Sequence, residues 1–149
     1  MSRSRSVLCS AYLAIAAIAL MACWRQNIAF MNEAGVDLAS GFVQFWPALL
    51  ANRATTSITI DIFLFGLAAI IWMVIEARRL QIRFVWLYVV LSFAIAISVM
   101  FPIFLAVRER RLHALAAGHS DVAPMALDLA GFAVFGVPIV LFALYTLAR

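Results

Sequence analysis

The sequence predicts an all-α protein, an integral membrane four-helix bundle, on three observations. Apolar residues make up 67% of the chain and charged residues 12%, with a mean hydropathy of +1.08, which is too apolar for a core surrounded by water. Four apolar runs, about 7–24, 58–77, 84–107 and 125–148, approach the roughly 20 residues a helix needs to cross the hydrocarbon core. All 11 strong bases are arginine and stand almost entirely at the ends of those runs, as interface anchors do. Residues 1–149 then form a single transmembrane domain.

The first run follows Ser-Arg-Ser-Arg-Ser and extends from Val7 to Trp24. A basic start before an apolar stretch resembles a signal peptide, but the run reads better as the first span. Cys9 and Cys23 both lie on it, about 21 Å apart along one helix, too far for a disulfide. Between Arg25 and Ser57 the chain is too apolar for an ordinary loop and too interrupted to span. Leu38, Phe42, Phe45, Trp46 and Leu49 fall near one helical face there, which predicts an interfacial or re-entrant segment between the first and second spans.

The second span, from Ile58 to Ala77, is the centre of interest. At about 100° per residue, Ser57, Asp61, Phe65, Ala68, Trp72, Glu76 and Arg79 share one stripe, opposite a lipid-suited face of Ile60, Leu64, Leu67, Ile71 and Val74. The stripe is expected to face protein or ligand, because polar and ionisable residues turn from lipid. A short turn, 78–83, makes the third span an antiparallel neighbour. That span carries Trp86 at its entrance, small residues Ser92, Ala94, Ala96 and Ser98 for close helix approach, and Pro102, which predicts a kink near Ser98. The fourth span repeats the second, with Asp128 beneath Phe132 and Phe135 on one stripe. If the second and fourth spans cross in the same direction, Asp61 and Asp128 lie level, together with Asn52 and Arg108. Glu76 and Arg79 then lie at the other end.

Several chemistries are struck out. Without lysine, no Schiff base forms with retinal or pyridoxal phosphate. Neither histidine lies inside a span, which argues against a membrane haem. His113 and His119 lack partners at metal-ligand spacing, no phosphate-cradling glycine loop occurs, and the arginine distribution is not a nucleic-acid footprint. No cofactor, metal or nucleic acid is expected.

The pattern of Asn52, Thr56-Ser-Ile-Thr-Ile-Asp61, Trp72, Glu76-Ala-Arg-Arg79, Trp86-Leu-Tyr88, Phe101-Pro102, Leu105 and Arg108-Glu-Arg110 resembles a family of small bacterial membrane proteins classed as a domain of unknown function. The match covers roughly 37–112. That resemblance implies a location in the bacterial inner membrane and no particular reaction. A more distant likeness, of architecture only, is to integral-membrane terpene and carotenoid cyclases.

Two functions compete. In the first, Asn52, Asp61, Phe65, Trp72, Glu76, Arg79, Trp86, Arg108, Phe132 and Phe135 bind a partner membrane subunit or a lipid, making the protein an accessory or assembly subunit. In the second, Asp61 or Asp128 is the general acid of an isoprenoid cyclase or isomerase, with the aromatic rings shielding a cation. Four crossings place both termini on one side, with six arginines (Arg3, Arg5, Arg78, Arg79, Arg83, Arg149) against five (Arg25, Arg53, Arg108, Arg110, Arg111). That small excess favours cytoplasmic termini.

Overall fold

The computed structural model describes residues 3–115 and 126–148, with side chains over 6–115 and 130–147. Among the described residues there are six helices and no strand: α1 (Arg3–Ala34), α2 (Leu38–Ala48), α3 (Arg53–Arg79), α4 (Val85–Ala94), α5 (Ile97–Leu115) and α6 (Ala126–Ala148). Three of them, α1, α3 and α6, are long and apolar enough to cross a membrane. The expected four-span bundle is corrected to three helices long and apolar enough to span, a short helix between the first two of them, and a helical hairpin.

The correction falls on 84–107. In one straight helix Val85 and Phe104 would stand about 28 Å apart. Here they share a core cluster with Met73 and Ala77, and the rings of Tyr88 and Phe104 meet at 5.7 Å. The chain therefore enters as α4, breaks at Ile95-Ala96 and returns as α5. At about 1.5 Å per residue α4 is about 15 Å long, half the depth of a hydrocarbon core.

Local chemistry accounts for the break. Ser92 Oγ donates to Tyr88 O at 2.8 Å, a back-bond that loosens the end of a helix. Pro102 supplies no N–H for Ser98 O, and starting α5 at Ile97 places the proline in its second turn. The disturbance expected near Ser98 is thus a reversal two to three residues earlier rather than a kink. Before α4 the chain turns through Gln81 and Phe84, both left-handed with φ of 54° and 61°. Residues other than glycine hold that conformation at a cost of about 1–2 kcal/mol each, so neighbouring contacts must enforce the turn.

One seam holds α1 against the hairpin. Cys9, Ala16 and Cys23, spaced by seven residues, meet α5 in antiparallel order. Cys9 Sγ donates to Ala106 O at 3.6 Å, Ala16 packs on Val99 and Met100, and Cys23 Sγ lies 3.9 Å from Ser98 Oγ. Small side chains at this spacing let two helices approach closely. At the far end Gln26 donates to Thr146 O at 3.1 Å, so α6 ends where α1 approaches its own end.

Two further expectations change with the fold-back. Because α3 and α6 run in opposite directions, residues 61 and 128 sit at opposite ends of the bundle instead of level. The two ends of the described chain are likewise on opposite faces. Arg108, expected far from Glu76, lies against it.

The segment 38–48 is the helix expected between the first two spans. Asp37 caps α2, its Oδ1 accepting from Ser40 N at 2.8 Å. The carboxyl titrates below its ordinary range because the Ser40 side chain and then the Ser40 N–H bond its charged form. A depressed carboxyl stabilises the fold above its unfolded pKa, and this contribution is lost as pH falls through the folded value. We expect α2 to loosen below about pH 4 in the parent protein, with hydrogen exchange at 38–41 rising more than in Asp37→Ala, which is loose throughout.

Candidate functional site

Two places concentrate chemistry, one at each end of the hairpin. The first lies where the last turn of α3 meets α5. Glu76 is buried, with 8% of its side chain exposed; it accepts a hydrogen bond from Arg108 Nε at 2.8 Å and forms an ion pair with Arg79 Nε at 3.2 Å. Arg108 Nη1 reaches Glu109 Oε1 at 2.7 Å, with Glu109 11% and Arg108 23% exposed. The Arg108 guanidinium also stands over Trp72, 5.5 Å from the ring centroid, and Trp72 packs edge-on against Phe104 at 6.1 Å. One planar cation thus bridges two buried carboxylates and covers an aromatic face, which a lysine ammonium cannot reproduce. Arg111 Nε donates to Leu80 O at 2.9 Å, satisfying a carbonyl at the end of α3. Every acid here already has a cation, so the cluster reads as a clasp between α3 and the hairpin.

The second place is a half-enclosed cleft of about 850 Å³ bounded by α1, α2, α3, the hairpin tip and the end of α6. Its wall is largely aromatic. Phe30 meets Phe45 at 5.9 Å, Phe42 meets Trp46 at 6.0 Å and Trp46 meets Phe63 at 6.0 Å, so α2 is tied to both α1 and α3. Gly66 lets Ile97 approach, since a Cβ there would lie 3.3 Å from Ile97 Cδ1. Few polar groups reach the lining, and Thr59 is typical, bonding Thr55 O at 2.8 Å within its own helix. Among the described residues no carboxylate lines the cleft.

The hairpin tip supplies backbone polarity. Ile95 N bonds Leu91 O, while Val99 N and Met100 N both bond Ala96 O. Among the described residues the carbonyls of Phe93, Ala94 and Ile95 and the N–H groups of Ile97 and Ser98 have no backbone partner across the break. The indole Nε1 of Trp24, a residue that lines the cleft, is buried and also unpartnered.

The expected site residues divide among these places and the outer surface. Trp72, Glu76, Arg79 and Arg108 come together in the clasp. Asn52 caps α3 instead, its Oδ1 accepting from Ala54 N and Thr55 N while Thr55 Oγ1 accepts from Asn52 N. Asp61, Phe65 and Trp86 are exposed and outside the cleft, and Phe132 and Phe135 point outward from α6. The Asp128 side chain lies outside the described residues. Glu109, Arg111 and nearly the whole cleft lining are functional candidates that the stripe reading passed over.

Three helices long and apolar enough to span, a short capped helix and a helical hairpin carrying a buried ion-pair clasp make an α-helical architecture compatible with a membrane protein. The chain belongs to the DUF2834 family, proteins of unknown function, which it matches over residues 11–110. The match begins earlier than the sequence pattern suggested, taking in most of α1, and it ends at the clasp. No curated protein and no solved structure matches the chain.

Proposed function

We propose that this protein binds an elongated apolar molecule of the lipid or isoprenoid class in the cleft between α1, α2, α3 and the hairpin tip. The observation that carries the reading is the cleft itself, about 850 Å³ with an aromatic wall and a few convergent polar groups, the usual make-up of a small-molecule site. Unpaired backbone groups at this depth are tolerated where they line a cavity. A ligand whose one polar end accepts hydrogen bonds would satisfy Ile97 N–H, Ser98 N–H and Trp24 Nε1.

The lining favours holding over acid-catalysed cyclisation, since no carboxylate among the described residues reaches the cleft and Asp61 faces away from it. A role as accessory subunit remains compatible, with the bound molecule shared or delivered to a partner. We also place the N-terminal end in the cytoplasm of a bacterial inner membrane. With the hairpin folded back, Arg3, Arg5, Arg78, Arg79, Arg83, Arg108, Arg110 and Arg111 gather at one end and, among the described residues, which leave out Arg149, Arg25 and Arg53 lie toward the other. That asymmetry is far stronger than six to five and follows the positive-inside rule.

Ala94 lines the cleft and is exposed, so Ala94→Trp puts an indole into the ligand volume. Mass spectrometry of protein extracted in mild detergent is expected to find one dominant apolar species on the parent, and several-fold less on Ala94→Trp at unchanged helicity. No co-purifying species, or equal amounts on both proteins, would refute the reading.

A further inference from the structure

At the clasp end a second concavity, a groove of about 580 Å³, opens between the turn after α3 and the last turns of α5. Arg83, Arg110 and Arg111 border it over a floor that includes Tyr88 and Val107. The acids nearby are already committed, Glu76 to Arg79 and Arg108, Glu109 to Arg108. Among the described residues no carboxylate lines the groove, and Arg83 and Arg110 make no ion pair. Arg111 is steadied by its bond to Leu80 O. Beside these charges Phe84, 78% exposed, and Trp86 project outward, at the level where amphipathic rings and acyl chains meet headgroups.

We propose that this groove holds the phosphate-bearing headgroup of an anionic phospholipid, its acyl chains lying along Phe84 and Trp86. Guanidinium forks match phosphate oxygens geometrically. The flanking aromatics favour a lipid over free phosphate, because soluble phosphate has no use for them. The site is separate from the cleft and does not depend on what the cleft holds.

Full-length protein in mild detergent is offered phosphatidylglycerol and phosphatidylcholine in equal amounts, and bound lipid is counted by native mass spectrometry. The parent is expected to retain phosphatidylglycerol over phosphatidylcholine by about tenfold, the order expected from one or two arginines near a headgroup. Arg83→Gln with Arg110→Gln loses that preference, and Arg78→Gln, outside the groove, keeps it. Retention by the parent also falls as salt is raised, a readout independent of any variant. At matched ionic strength, exchanging chloride for inorganic phosphate is expected to leave the lipid bound. Equal retention of the two lipids, an unchanged preference in the double variant, salt-insensitive retention or displacement by inorganic phosphate at matched ionic strength would each overturn the proposal.

Discussion

Replacing Arg108 with methionine is expected to destabilise the protein by roughly 3–5 kcal/mol, the usual cost of leaving buried carboxylates without their cation. Glu76 and Glu109 are both more than four-fifths buried, and Arg108 bonds each of them. Methionine fills much of the volume and keeps contact with Trp72, so the loss isolates charge and hydrogen bonding from packing. Arg79 reaches only one oxygen of Glu76, from a side chain 63% exposed, and an exposed pair compensates little. Arg108→Lys should fall between parent and methionine, since an ammonium keeps the charge without the fork or the stack. Adding Glu76→Gln to Arg108→Met should restore part of the loss, a coupling of about 0.5–3 kcal/mol, read from thermal or detergent denaturation. A methionine variant as stable as the parent would show that water or another cation serves these acids.

The sequence displays the clasp residues but hides their meeting. Trp72, Glu76 and Arg79 are legible as one helical stripe, and Arg108 as a cation at the end of an apolar run. Their convergence depends on the fold-back, which Pro102 signals only as a kink near Ser98, since no glycine or proline stands at Ile95-Ala96. Ser92, Ala94, Ala96 and Ser98, which suit close approach of neighbouring helices, flank the reversal instead. Glu109 was hidden for the same reason, since on a straight third span it would end far from Glu76.

The buried face of α3 lies about a third of a turn from the stripe. Thr59, Gly66, Ala69, Met73, Glu76 and Ala77 are the buried residues of α3, and only Glu76 belongs to both sets. Polar and aromatic residues drew attention to one face, whereas close packing selects the face with glycine and alanine. The small-residue criterion, applied to α3 as it was to 84–107, would have found Gly66 and Ala69 and with them the cleft wall. By contrast α2 is legible in the sequence, because its aromatic face is a local signal. So is α1, although its helix continues past Arg25, where charge alone suggested an end.

A single cysteine in place of Arg83 and another in place of His113 are expected to react with a membrane-impermeant maleimide from the same side of sealed, oriented vesicles. Both positions are exposed, and Cys9→Ala with Cys23→Ala removes the native thiols. A continuous third span of about 24 residues, 84–107, would separate the two positions by the full bilayer, giving opposite-side labelling. A reference cysteine at exposed Asn32, near the end of α1, should label only from the other side. The outcome is all or none, and it bears on more than topology. Same-side labelling is what brings Arg83, Arg108, Arg110 and Arg111 together, so that Arg108 can close on Glu76 while the other three stay open to a headgroup. It also leaves the hairpin tip at half depth, where its backbone needs the cleft. Opposite-side labelling would dissolve the clasp, the arginine asymmetry and the cleft floor together, because all three follow from the one reversal at Ile95.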